Sequence, residues 1–188
     1  MSEIRVLALS GSLRRDSFNT RLLHFAEEIA PRGTVFDHYE GLGDIPHFNE
    51  DTEHPAPAPV ADLRARVRAA DAVLIATPEY NSSYPGSLKN ALDWLSRADD
   101  NGLTLPGKPT AILGASPGLL GTVRAQLALR QVLHKLDANV VRQPEFLLFN
   151  AHQQFGEKGL EKDSPAAQPL GTVLGGLVDL VQQDRLAV

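Results

Sequence analysis

Ser10-Gly-Ser-Leu-Arg-Arg-Asp-Ser-Phe-Asn-Thr20 lies directly after a short apolar run, Ile4 to Leu9, and directly before an amphipathic one, Leu22 to Ala30. A strand, a hydroxyl-rich loop and a helix start in that order make an anion site. Unpaired backbone N–H groups and the positive end of the helix dipole converge there. The loop adds the hydroxyls of Ser10, Ser12, Ser17 and Thr20, the amide of Asn19 and a guanidinium from Arg14 or Arg15. Gly11 stands alone, so the loop is not the G-x-G-x-x-G turn that lets backbone approach a pyrophosphate, and no G-x-x-x-x-G-K-[ST] string occurs. Side-chain donors in place of glycines suit a single terminal phosphate, as in a mononucleotide. The same residues also suit an ordinary βα turn, with Ser17 as the helix cap.

Working outward, apolar runs alternate with helical patterns. Strands are expected at Ile4–Leu9, Thr34–Tyr39, Ala72–Thr77 and Pro109–Gly114, and within Ala138–Leu148. Between them, Leu22/Leu23/Ala26/Ile29/Ala30 and Leu88/Ala91/Leu92/Leu95 each fall on one helical face. So do Val123/Leu127, Val132/Leu133/Leu136 and the C-terminal set from Leu170 to Val181. Such alternation implies an α/β fold, a parallel sheet covered on both faces. Five strands favour a flavodoxin-like three-layer sandwich with the sheet order 2-1-3-4-5, in one domain spanning residues 1–188. Gly41 to Pro59, with four of the 13 prolines, reads as an irregular loop. Asp99–Gly102 reads as a tight turn or mobile tip. Asn150 to Ser164 is polar and glycine-interrupted, with Pro165 opening the last helix.

Composition narrows the function classes. The chain of 188 residues, 43% hydrophobic and 22% charged, suits a soluble globular protein, and no apolar run reaches the roughly 20 residues of a membrane span. A strand beginning at Ile4 leaves no room for a signal peptide, and the absence of cysteine excludes disulfides, thiolate metal sites and a cysteine nucleophile. A cytoplasmic location is expected. A net charge of −5 without a basic, aromatic-interleaved stripe argues against nucleic acid.

In an open α/β sheet of this order, ligands bind beyond the strand ends where the order reverses, between the first and third strands. The loops there are Ser10–Thr20 and Pro78-Glu-Tyr-Asn-Ser-Ser-Tyr-Pro-Gly86, joined by Ala115-Ser-Pro-Gly-Leu-Leu-Gly121 after the fourth strand. Tyr80 offers a flat ring, while Glu79 and Asn81 offer edge hydrogen bonds or backbone contacts to a heteroaromatic system such as the FMN isoalloxazine. The alternative for this loop is a polar turn with a core-packing tyrosine.

Two motifs carry a resemblance: Gly11-Ser-Leu-Arg-x-x-Ser17-x-Asn19, and Pro78-Glu-Tyr-Asn-x-Ser-x-Pro-Gly86-x-Leu-Lys-Asn-Ala-Leu-Asp-Trp94. The chain resembles the NADPH-dependent FMN reductases, a flavodoxin-like group that includes chromate, quinone and azo reductases. The likeness extends through Lys108-Pro109 and, more loosely, to Phe155 and the last helix. It implies that Ser10, Ser12, Arg14, Ser17, Asn19 and Thr20 hold the FMN phosphate. Pro78, Glu79, Tyr80 and Asn81 would line the isoalloxazine, with Ser116 and Gly118 closing the far side. Leu119-Leu120-Gly121 departs from the Gly-Gly common at that place. The resemblance further implies ping-pong hydride transfer from NADPH or NADH through FMN to a small-molecule acceptor: a quinone, azo compound, chromate or free flavin. The flavin performs that chemistry, so no catalytic side chain is required. It also implies a homodimer, or a homotetramer built from it, through Tyr84–Arg97. A flavodoxin-like electron carrier and a flavin-binding sensor are the competing functions.

Other reactive residues read plainly. His24, His38, His47, His54, His134 and His152 show neither H-x-x-x-H nor H-E-x-x-H spacing, so no metal site is expected. Arg64, Arg66 and Arg68 read as the solvated side of a helix, on different faces. Arg124 and Arg130 read as solvent-facing, with an NADPH phosphate as the competing role.

Overall fold

A computed structural model describes residues 3–157 and 159–187. The strands β1 (Ile4–Ser10), β2 (Thr34–Tyr39), β3 (Ala72–Ala76) and β4 (Pro109–Ala115) pair in parallel, in the order β2-β1-β3-β4. The fifth sheet position is shared by two short strands. β5 (Asn139–Val140) pairs with the start of β4 and β6 (Phe146–Leu148) with its end. The expected 2-1-3-4-5 order therefore holds, with the last strand broken around Pro144, which has no N–H for the ladder.

Side-chain alternation along each strand decides which layer its residues join. Ile4, Val6 and Ala8 of β1, with Leu74 of β3 and Leu113 of β4, pack beneath α1 (Phe18–Ile29) and α6 (Ala167–Ala187). Leu7, Leu9, Ile75 and Ile112 face the other way, toward α2 (Ala58–Ala69), α3 (Gly86–Leu95) and α4 (Val123–Lys135). A sheet buried on both faces needs the near-continuous apolar strands that the sequence carries. A four-residue helix, α5 (Ala151–Gln154), precedes α6, which begins two residues after Pro165.

Three expectations change. Gly41–Pro59 is not uniformly irregular: 3-10 turns form at Gly41–Asp44 and Glu50–Thr52, and α2 starts at Ala58. The segment is pinned to α3, where Asn90 Oδ1 accepts from the Phe48 amide at 2.7 Å and Trp94 Nε1 donates to the Pro46 carbonyl at 2.8 Å. Arg64 is not solvated. It is 1% exposed and donates to the Trp94 carbonyl at 3.0 Å, a cation set at the negative end of α3. Arg66 and Arg68 do reach the surface from separate faces, pairing with Asp37 and Asp62 and with Asp99 respectively. On α4 the buried stripe is Ala125, Gln126, Leu129 and Leu133, one step away from the expected Val123/Leu127 face; Leu127 is exposed. The displacement follows Gln126, whose Nε2 donates to the Phe146 carbonyl at 2.8 Å and so turns a polar residue inward. Asp99–Gly102 is the tight turn, closed by the Gly102 amide on the Asp99 carbonyl at 2.8 Å.

β4 passes the start of α4 with no room for a side chain at Gly114. A Cβ placed on Gly114 would lie 1.6 Å from Thr122 Oγ1. Gly114→Ala should therefore lower the unfolding free energy by about 1–3 kcal/mol, with the urea midpoint as the readout.

Candidate cofactor cleft

Parallel registry brings the carboxyl ends of three strands level. Ser10 pairs with Ala76, and Ala76 with Leu113, two residues before the end of β4. Beyond those ends the backbone stays tied: the Gly11 amide donates to the Ala76 carbonyl at 2.8 Å and the Thr77 amide to the Leu113 carbonyl at 2.9 Å. The loops after β1, β3 and β4 thus meet at one edge. Gly11 permits this approach, since a Cβ there would stand 3.2 Å from Leu88 and 3.3 Å from Pro78.

The loop after β1 is arranged as an anion site. Ser17 caps α1, its hydroxyl accepting from the Asn19 and Thr20 amides. The amides of Arg15, Asp16, Ser17 and Phe18 find no acceptor among the described residues. Nor does a carboxylate pair there with the exposed guanidinium of Arg14 or Arg15. Arg14 instead lies over the Phe18 ring, 5.5 Å from its centroid, and Phe18 stacks on Phe155 at 5.5 Å. Free amides at a helix start beside an unpaired cation are the donor set that a phosphate needs. That donor set fits the terminal phosphate of FMN.

A cleft of about 290 Å³ runs from this loop to Tyr80 and Ser116. Of the residues expected in a cofactor site, Ser12, Arg14, Ser17, Asn19, Pro78, Glu79, Tyr80 and Ser116 line it. Phe18, Ala115 and Pro117 line it too. Aromatic and proline side chains there read equally well as packing, so the sequence held no separate signal for them. Ser10 and Thr20 share a hydrogen bond of 2.8 Å and line an adjoining cavity of about 410 Å³, which Ser12 and Arg14 also reach. Asn81 and Gly118 line neither.

Several of these side chains have other work. Asn19 is buried, its amide donating to the Ala115 carbonyl at 3.0 Å and accepting from the Ala115 amide at 2.9 Å. Its side chain is thereby committed to β4. Glu79 turns its carboxylate toward the first turn of α4, accepting from the Arg124 amide at 3.0 Å and the Ala125 amide at 3.2 Å. The Arg124 guanidinium donates to it as well, at 2.6 Å from Nε. An acidic side chain thus caps α4 from another loop, against the helix dipole. Its backbone is what Glu79 leaves to the cleft. Arg124 is correspondingly engaged, and Arg130 donates to the Val141 carbonyl at 2.9 Å and pairs with Glu145. Asn81 and Ser82 take φ of 49° and 65° at the tip of a two-residue turn closed by mutual Tyr80–Ser83 backbone bonds. Asn tolerates that conformation better than most residues. The turn presents Tyr80 half exposed at the cleft, which removes the reading of a core-packing tyrosine. Ser116 Oγ accepts from the Gly118 amide at 3.1 Å and rounds off the third loop.

The family model for NADPH-dependent FMN reductase matches residues 4–153. The chain belongs to that family. An NAD(P)H-dependent FMN reductase of Pseudomonas aeruginosa is 43% identical over 167 residues, covering 88% of this chain and 89% of its own. A quinone reductase of Escherichia coli K12 is 45% identical over 150 residues, covering 78% and 79%. Among solved structures, the flavoenzyme NAD(P)H:(acceptor) oxidoreductase FerB of Paracoccus denitrificans superposes with a TM-score of 0.87 at 35% identity, covering 96% of this chain and 98% of that one. Family membership accounts for the joint presence of both loop motifs around the cleft.

Asn19→Ala would leave both backbone groups of Ala115 unpaired in the interior. The expected cost is about 2–4 kcal/mol of stability, measured by chemical unfolding of the apoprotein so that cofactor affinity does not enter.

Proposed function

We propose that this protein is an FMN-dependent NAD(P)H oxidoreductase that delivers reducing equivalents to quinone-type acceptors. The observation that carries the reading is the cleft itself: unpaired amides and Arg14 at one end, Tyr80 and Pro78 at the other, in a chain of the FMN reductase family. The chemistry that bound FMN would supply is hydride acceptance from a reduced nicotinamide and delivery of reducing equivalents to the acceptor. The protein's part is positional. The amides of Arg15 to Phe18, with Arg14 and the hydroxyls of Ser12 and Ser17, would hold the phosphate. Pro78, Tyr80 and the backbone of Glu79 and Asn81 would flank the ring, and Ser116 with Gly118 would border its far side. Ser10 and Thr20 would brace the loop through their mutual bond, and Asn19 through its hold on Ala115. An exposed Tyr80 leaves one side of the cleft open to an incoming nicotinamide or acceptor, and alternate occupancy of one place gives ping-pong kinetics.

The finer reading is that NADPH or NADH serves as donor and that azo compounds, chromate and free flavin join the quinones as acceptors. The whole chain would work as a single FMN-binding domain in the cytoplasm. Homodimers, or tetramers made from them, would form through the exposed side of Tyr84–Arg97. Trp94 is fully buried within its own chain and is not available to that contact.

Purified protein should carry or take up FMN, showing the two flavin absorbance bands, and should oxidise NADPH or NADH when a benzoquinone is supplied, with parallel double-reciprocal plots. A protein that stays colourless in an FMN titration overturns the reading. One that binds FMN but is not bleached by NADPH or NADH under anaerobic conditions is an electron carrier instead. Arg14→Ala should weaken FMN about tenfold or more, equivalent to roughly 1.4 kcal/mol or more, in a fluorescence-quenching titration. Light scattering after size-exclusion chromatography reads the oligomeric state.

A further inference from the structure

The fold assembles a second group of ligating side chains beside the phosphate loop, where His24 and His38 line the adjoining cavity of about 410 Å³. His24 and Glu27 are three residues apart on one face of α1, and His38 reaches them from β2, whose register sets it opposite Ala8 of β1. One ligand atom from each of the three lies within 4.8 Å of the others. His38 Nε2 already contacts Glu27 Oε2 at 2.9 Å, and the two imidazole rings are tilted face to face with centroids 4.3 Å apart.

We propose that His24, Glu27 and His38 bind a divalent transition-metal ion of the zinc, nickel or copper class. Two imidazoles and one carboxylate are the ligand types such ions prefer, and three protein ligands leave further positions to water. Bonds of about 2.1 Å at a tetrahedral angle separate ligand atoms by about 3.4 Å. The observed atoms lie on either side of that separation, 2.9 Å for His38 and Glu27 and no more than 4.8 Å for any pair, so side-chain rotation has to open one pair and draw in the rest to seat an ion. Exposure of 22% for the His38 side chain and 47% for that of Glu27 leaves room for that rotation. Glu28 and Glu40 add negative potential around His24. Arg14 and Arg15 line the adjoining cavity and oppose it, so affinity must come from coordination rather than from net charge. The site escapes a search for H-x-x-x-H because its third ligand comes from a different element, eleven residues beyond Glu27. An ion held there ties α1 to β2 next to the phosphate loop and stabilises the folded state by its binding free energy. This inference does not depend on FMN or on turnover.

The test uses the full-length protein as purified with its FMN, freed of adventitious metal with EDTA and desalted. ZnCl2 and NiCl2 are titrated by calorimetry, and thermal unfolding is followed with and without Zn2+. The expected result is one saturable ion per chain at micromolar concentration and a rise in Tm that EDTA reverses. His24→Ala/His38→Ala should weaken binding by at least about tenfold and remove the Tm shift, while His47→Ala/His54→Ala should leave both intact. Imidazole resonances of the unmutated protein provide a readout independent of variant folding: Zn2+ should move those of His24 and His38 first. No saturable binding below millimolar metal, undiminished binding by the folded double variant, or initial shifts at other histidines would each overturn the proposal.

Discussion

One buried amide holds the architecture together at the end that matters. The side chain of Asn19, in the first turn of α1, both donates to and accepts from the backbone of Ala115 at the end of β4, 96 residues later. A two-point hydrogen bond in a dry environment fixes distance and orientation at once, and leaving either group unpaired is costly. It closes the gap that β3 spans in the sheet, so the loop after β1 and the loop after β4 face one another across the carboxyl end of β3. The backbone bonds from Gly11 and Thr77 then set the depth of the cleft between them.

A second constraint runs along the other wall. Glu79 spends its carboxylate on the first turn of α4, so the loop after β3 cannot swing away without uncapping that helix. The same bond points the rest of the loop outward and leaves Tyr80 exposed beyond the Asn81–Ser82 turn. Residues that look like ligand contacts in the sequence therefore divide in two. Some hold the loops, as Asn19 and Glu79 do. Others are left with unspent donors or open surfaces, as Arg14, Tyr80 and the amides of Arg15 to Phe18 are. The division means that the unspent donors are held in place by the protein's own bonds before any ligand arrives.

Much of this was legible from residue order. The apolar runs from Ile4, Ala72 and Pro109 could only be strands buried on both faces, and the helical spacing between them required crossovers, hence the parallel order. Ser17 was recognisable as a cap because a hydroxyl stood a few residues ahead of an amphipathic run. Arg64 was not recognisable as buried: in α2 its charge looks like its neighbours Arg66 and Arg68, and only the carbonyl end of α3, 30 residues away, gives it a reason to be inside. Gln126 was hidden in the same way, since a polar residue on the buried stripe of α4 makes sense only when the Phe146 carbonyl is seen beneath it.

By itself the sequence determined the layer architecture, the strand order and the two motifs that put the chain among FMN reductases. Periodicity and local capping are short-range properties, and so is the chemistry of a contiguous loop. Tertiary structure alone decided which donors in those loops are spent and which remain, that Glu79 serves α4, and that His24, Glu27 and His38 stand together. Each of those outcomes depends on partners far apart in the chain, and hydrogen-bond geometry between distant elements exists only once the sheet has brought them into register.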